Sequence, residues 1–297
     1  MLGSDANPRG TRSGARVTEL LLRHGEWDVI DPASASWRYL SFRVERLRDG
    51  EQASRQTGDE EIAIVPLGGR CAVESDGERW ELGERSNVFA GMPWALYLPR
   101  ETEYTLSALG DAEVAISGAL AEERLEPRLV TPDEVDIEVR GSGNATRQIN
   151  HIIKPEFPAQ RLLVVEVFTP AGNWSSYPPH KHDEDHPPGE VVLEEVYYYR
   201  TQTDPPGAFA VQLLYSPQHG IDVTETVRDG DIMLVPHGYH TTAAAHGYDL
   251  YYLNGLAGDR RSMAAADDPL LAWIRPAWAD LDSDPRVPMV TLEGRRR

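Results

Sequence analysis

At 297 residues with a formal net charge of −19 and a single cysteine, Cys71, the chain excludes an intrachain disulfide framework and presents an acidic field that repels phosphate backbones. No apolar run approaches the roughly 20 residues that span a bilayer, and residues 1–16 are polar and lack the apolar core of a secretory signal. A soluble cytoplasmic protein with a small-molecule partner is expected, with no nucleic acid and no membrane; the basic end Arg295-Arg296-Arg297 is too short to read as a targeting patch.

Short β-rich runs separated by Gly, Pro, Asp and Asn follow one another along most of the chain, and few stretches carry helical periodicity, so the fold class is all-β. The first series of predicted strands covers residues 39–47, 61–66, 70–73, 88–89, 95–98, 104–109 and 113–118. A break rich in Pro, Gly and charge follows, in which Thr131-Pro132-Asp133-Glu134 carries a helix-start signal. The second series covers 149–153, 161–168, 195–200, 209–215, 222–227, 231–235, 241–245 and 249–254. The phrase Asn87 to Pro93 echoes Gly230 to Pro236, which suggests two repeated β-barrels. The expected division is a disordered tail at 1–16, a barrel at 17–120, a linker at 121–146, a second barrel at 147–258 and an arm at 259–297. In the arm, a short helix is expected at Leu270 to Ile274, and Trp273 and Trp278 are expected to pack it onto the barrel; a homo-oligomer contact is the other use of such anchors.

Eight of the nine histidines lie in the second half. In a strand, side chains two apart share a face, so His180 and His182 can chelate together while Lys181 points away. Glu195, at the head of Val196-Tyr197-Tyr198-Tyr199, and His240 complete a set of three imidazoles and one carboxylate suited to zinc, manganese or ferrous iron. Glu194 and Glu195 face opposite ways, and Glu195 shares its face with Tyr197 and Tyr199. His186, His219, His237 and His246 lie in turns, where a solvated imidazole is the ordinary outcome; His237 is the fallback for His240. The first barrel, with His24 alone, is expected to be metal-free, and its Trp80, Trp94 and Tyr97 to serve as packing.

The pattern His-x-His, Glu195, then Gly230-x5-Pro236-x-Gly238 and His240 resembles the two metal motifs of the cupin superfamily, with a longer gap between His182 and Glu195 and a final histidine one residue early. More narrowly, Asn173 to Asp183, Leu193 to Arg200, Val235 to His240 and Gly247 to Asn254 resemble the 5-deoxy-glucuronate isomerase family of myo-inositol catabolism, related to 4-deoxy-threo-hexosulose-uronate ketol-isomerase, in which the long gap is expected. The resemblance runs from about Gly25 to Ile274. It implies a bicupin with one divalent ion, zinc or manganese, in its C-terminal barrel and an aldose–ketose isomerisation of a sugar acid. Ligand type alone leaves open an iron-dependent cupin oxygenase or a non-catalytic sugar-binding cupin.

Isomerisation needs a proton carrier within hydrogen-bond reach of the migrating hydrogen. The candidates are Glu166, Tyr239, Tyr199 and Lys154. A carboxylate-bearing substrate also calls for a cation, for which arginine's planar fork is best suited. Arg147 ranks first, then Lys154 and Arg200, with His151 nearby and Tyr199 as a further substrate contact.

Overall fold

The structure is a computed structural model and describes residues 19–296; the tail expected at 1–16 lies outside the described residues. Four antiparallel sheets make up nearly all of it. In the first half, a six-stranded sheet runs in the order Arg128–Val130, Ala95–Leu98, Glu60–Gly68, Ala112–Leu120, Leu40–Leu47, Val29–Ile30, and a four-stranded sheet in the order Gln52–Gln56, Glu103–Ala108, Cys71–Ser75, Glu78–Leu82. In the second half, a seven-stranded sheet is ordered Leu21–Leu22, Ile232–Val235, Glu194–Thr201, Leu250–Ala257, Leu162–Thr169, Arg147–Ile153, Asp136–Arg140. Its partner has five strands: Ile221–Val227, Ala210–Ser216, Tyr239–Ala244, Trp174–Lys181, Ala266–Asp267.

Period-two alternation assigns the strand residues to three cores. Ile62 and Ile64 face the four-stranded sheet, while Ala63, Val65 and Leu67 face the second half. Val164, Phe168, Tyr198 and Tyr251 meet that face from the seven-stranded sheet. The opposite side of the seven-stranded sheet carries Val165, Tyr197, Tyr199 and Tyr252 and closes against Ala210, Leu214 and Ala244 of the five-stranded sheet. The seven- and six-stranded sheets therefore pack back to back and bury both faces, which explains the near-continuous apolar runs in their strands. At Gly255 the backbones come so close that a Cβ would stand 3.0 Å from Ser117 Oγ of the other half.

The units drawn from the sequence are more interleaved than expected. Leu21–Leu22, assigned to the first barrel, pairs with Ile232–Val235 of the second half. Asp136–Arg140, inside the expected linker, is the edge strand beside Arg147–Ile153, and Thr131 caps a 3-10 turn at Pro132–Glu134 with Glu134 reaching back to it. Val88 and Phe89 are not a strand: Asn87 Oδ1 accepts the Phe89 N–H at 2.9 Å and turns the chain, although both side chains are buried in the core between the halves. The sequence pattern also missed Gln52–Gln56, Glu78–Leu82 and Trp174–Lys181, the first two because they are polar edge strands and the third because Pro178 and Pro179 interrupt it.

The arm departs most from expectation. Its helix is one turn at Ile274–Ala277, and Trp273 and Leu270 are 66% and 83% exposed rather than packed on the barrel. The contacts come from elsewhere in the arm: Ala266–Asp267 extends the five-stranded sheet, and Gln148 bonds both the N–H and the carbonyl of Val290, at 3.0 and 2.7 Å. Among the described residues no helix is long and apolar enough to cross a membrane.

Candidate metal centre

Three strands of the second half bring the imidazoles and the carboxylate together. Glu195 lies on the inner face of Glu194–Thr201 with Tyr197 and Tyr199; Glu194 faces the other way, where its carboxylate accepts the N–H groups of Tyr39 and Leu40 at 2.9 Å each. His240 comes from Tyr239–Ala244, which pairs His180 with His240. His182 stands just beyond the end of Trp174–Lys181. Between the pairs Ser175↔Thr242 and His180↔His240 the proline-bearing strand has four residues where its partner has one, and Ser176 is left-handed at φ 52°. This bulge stores strain where polar side chains collect, as functional sites often do. As a result the adjacent hydroxyls of Ser175 and Ser176 both reach the Tyr252 phenol, at 2.7 and 3.1 Å, instead of diverging.

The imidazoles are oriented by their backbones. Nδ1 of His182 lies 2.9 Å from the Leu193 carbonyl and Nδ1 of His240 lies 3.1 Å from the Gly238 carbonyl. A carbonyl can only accept, so each Nδ1 is the donor and each Nε2 presents its lone pair. Those two Nε2 atoms face one oxygen, Glu195 Oε2, at 2.9 and 3.1 Å. Acceptors so close together require positive charge between them, a proton or a metal ion. His240 is fully buried, and among the described residues its Nε2, although 3.1 Å from Glu195 Oε2, is not aligned to hydrogen-bond any group. Imidazole donors anchored through Nδ1, an acceptor carboxylate and an unpartnered buried nitrogen fit a divalent metal ion.

The protonation states agree with that arrangement. Burial alone would raise the Glu195 carboxyl, but His240 and His182, both aimed at it, hold it below the usual carboxylate range. His182 is desolvated, which works against its protonated form, yet its bond to Glu195 leaves its pKa raised. Burial pushes His180 well below the ordinary imidazole value, helped by its two histidine neighbours.

Three of the four expected ligands, His182, Glu195 and His240, have their ligand atoms within 4.8 Å of one another. His180 stands beside them rather than among them: its ring is 4.7 Å from His240 but 6.5 Å from His182, and its Nδ1 is turned to the Pro178 carbonyl at 3.3 Å. The bulge that precedes it accounts for the offset. Lys181 points outward, to Asp183 at 2.6 Å and Glu190 at 2.9 Å, and these contacts pin the long loop before Glu195.

Of the remaining site residues expected from the sequence, two lie on the inner side. Arg147 is 2% exposed and donates to the carbonyls of Ala145 and Tyr177, at 3.2 and 3.1 Å. Among the described residues it makes no ion pair, its bonds being to backbone carbonyls, and burial lowers its pKa to about 10, so it remains charged at neutral pH. Tyr199 is buried beside Tyr252, with its hydroxyl donating to Gln212 at 2.6 Å.

The others are placed elsewhere. Glu166 shares the opposite face with Val164 and Phe168, where it is fully buried and bound by Arg85 at 2.9 Å, Asn150 at 2.9 Å and Tyr251 at 3.0 Å. Period two sends it to the contact between the halves, so it does not reach the imidazoles. Tyr239 neighbours His240 in sequence but points outward onto Tyr215. Lys154 is ion-paired to Asp136 at the exposed sheet edge, His151 bonds Glu138 at 2.9 Å on that edge, and Arg200 is neutralised by Glu113 and Asp229.

Sequence reasoning passed over Tyr197, Tyr252 and Ser176. The Tyr197 ring lies edge-on to His240 at 5.9 Å and its hydroxyl meets Ser176 Oγ at 3.1 Å. Burial holds both phenols above their ordinary pKa, so both stay protonated hydrogen-bond donors. The shared parity of 195, 197 and 199 was the available signal. A surface groove of about 750 Å³ runs over Arg55, Glu74 and Arg79 of the first half and is lined by no histidine or cysteine, so the chemistry rather than the groove locates the site.

Gly238 supports the centre through its backbone. Its φ is +100°, a Cβ would sit 2.5 Å from the Tyr215 carbonyl, its own carbonyl orients His240, and its N–H binds Asp183 at 2.8 Å. Gly238→Ala is expected to weaken metal binding by roughly 10–100-fold, as loss of an outer partner does. Titration of chelator-treated protein checks this, and unchanged affinity would remove Gly238 from the site.

The family described as KduI/IolB matches residues 19–274. The 5-deoxy-glucuronate isomerase of Geobacillus thermodenitrificans (strain NG80-2) is 43% identical over 247 residues, 82% of this chain and 89% of that protein. The enzyme of the same name from Bacillus subtilis (strain 168) is 36% identical over 248 residues, 82% of this chain and 91% of its own length. The crystal structure of an IolB-like protein from Salmonella typhimurium LT2 superposes with a TM-score of 0.82 at 35% identity, covering 86% of this chain and 99% of that one. The oxalate decarboxylase of Lactobacillus farciminis, at a TM-score of 0.60 and 12% identity over 85% of this chain and 89% of its own, shares the cupin-type fold. With a family match across most of its length and relatives more than one-third identical over four-fifths of it, the chain belongs to the KduI/IolB family.

Proposed function

We propose that the protein is a metal-dependent aldose–ketose isomerase that converts 5-deoxy-glucuronate to 5-dehydro-2-deoxy-gluconate in inositol catabolism. The observation that carries the metal reading is the buried, unpartnered Nε2 of His240, aimed with His182 at one oxygen of Glu195. His182, Glu195 and His240 would hold the ion, and a rotation of the half-buried His180 side chain would bring in the fourth ligand. A zinc or manganese ion there supplies Lewis-acid charge for the substrate's carbonyl oxygen and for the negative charge that develops as the proton leaves C2.

The chain's own residues do the rest. Hydrogen moves from C2 to C1 and from O2 to O1, so no oxidant or reductant is consumed. Tyr197 and Tyr252, protonated and dry, are placed to donate hydrogen bonds to substrate oxygens, and Ser176 orients both. Arg147 is a buried cation without a counter-ion among the described residues, which costs several kcal/mol unless an anion arrives. The substrate's carboxylate would be that anion.

Two experiments test the reading. Metal-loaded protein incubated anaerobically with 5-deoxy-glucuronate is expected to give the ketose, and chelator to stop it; failure to turn over this substrate with either metal would sink the assignment. Arg147→Met is expected to raise KM by roughly 10–100-fold, the worth of about 1.5–3 kcal/mol of charged hydrogen bonding. Its thermal stability should be unchanged or higher, because a buried unpaired charge is gone. A lower Tm with KM unchanged would make Arg147 structural.

A further inference from the structure

Two of the turn histidines, expected from sequence to be solvated, converge on the rim of the second half. His219 ends the 3-10 turn Pro217–His219, and His237 lies in the turn before Tyr239–Ala244. Their rings stack face to face with centroids 4.1 Å apart and planes 9° apart. Asp183, from a third segment, joins them, and one ligand atom from each of the three lies within 4.8 Å of the other two.

We propose that Asp183, His219 and His237 form a second divalent transition-metal site, distinct from the buried centre. Two of the three donors are held in place by their neighbours. Ser216 Oγ lies 2.9 Å from His219 Nδ1, so that nitrogen is occupied and Nε2 is left to bind an ion. The Asp183 side chain is only 7% exposed, and it is fixed by Lys181 Nζ at 2.6 Å and the Gly238 N–H at 2.8 Å. The stack keeps the two in-plane lone pairs apart, but both imidazoles are exposed, so one ring turning out of the stack can bring both nitrogens to the about 2.0–2.1 Å that zinc requires.

Two imidazoles and one carboxylate select zinc, cobalt, nickel or copper over magnesium or calcium, which need sets of oxygen ligands. Three protein ligands leave coordination positions open to water. The site also lies on the segments that carry the inner ligands: Asp183 follows His182, and the Gly238 that Asp183 holds orients His240 through its carbonyl. His237 thus has a place of its own and is not a substitute for His240.

The test is a titration of the full, chelator-stripped chain with cobalt(II) or zinc alone at neutral pH, with bound metal counted. Wild type is expected to take up two equivalents. His219→Ala and, independently, His237→Ala should each take up one, with an unchanged far-ultraviolet spectrum because both side chains are exposed. Glu195→Gln should lose the tight equivalent and keep the rim one. Retention of two equivalents by both histidine variants overturns the proposal, as does a wild type that saturates at one equivalent which Glu195→Gln removes. A single equivalent removed by His219→Ala but not by Glu195→Gln would support the rim site and count against the buried one.

Discussion

Glu195→Gln is expected to abolish turnover of 5-deoxy-glucuronate and to weaken the tight metal equivalent by at least about 100-fold, since even the outer partners of metal ligands are worth 10–100-fold. The reason is local charge. Glu195 is the one carboxylate in the buried group, and its Oε2 is the oxygen on which His182 and His240 converge at 2.9 and 3.1 Å. The amide keeps the shape, loses the charge, and can turn its NH2 toward the two Nε2 lone pairs. The metal-free variant should therefore unfold at the same temperature as metal-free wild type or higher, while the metal-loaded forms separate by the binding energy that the variant has lost. Metal analysis, kcat/KM and thermal unfolding with and without chelator read all three. A Glu195→Gln protein that keeps both the tight equivalent and its turnover would remove the catalytic role from this cluster.

Glu166→Ala should cost about 3–5 kcal/mol of stability, the typical penalty for stranding one member of a buried ion pair. Arg85, 4% exposed and contributed by the first half, would keep its charge with no carboxylate, and Asn150 and Tyr251 would lose their shared acceptor. The double replacement Arg85→Met with Glu166→Leu should recover most of that loss, because apolar groups of similar volume restore packing without a charge to desolvate. Urea unfolding of the metal-free forms measures the differences, and Glu166→Ala within about 1 kcal/mol of wild type would contradict the stranded-charge account. Glu166→Gln should leave kcat nearly unchanged, because the carboxylate faces the contact between the halves and not the imidazoles. An active-site base at this position would show the opposite, a large loss of kcat in a stable protein.

Local patterning alone was enough to indicate an all-β chain, because strand periodicity is a short-range property: residues two apart share a face wherever they sit; joining His182 and His240 to Glu195 took ligand type and motif resemblance as well. The same rule separated Glu194 from Glu195 and aligned Tyr197 and Tyr199 with the latter. Partners distant in sequence were beyond its reach. Glu166 meets Arg85 from 81 positions away, which turned a candidate base into a structural anion, whereas Arg147 meets no carboxylate at all among the described residues, and that lack can only be seen once the surroundings are assembled. Local rules also misread segments whose fate depends on neighbours: Val88 and Phe89 are buried without being a strand, and Trp273 lies outside the core. The convergence of Asp183, His219 and His237 belongs with these, since three unrelated turns carry no shared period. Sequence spacing governs which way a side chain leaves its own strand, but tertiary packing decides what it meets there, and charge, burial and metal affinity are properties of that meeting.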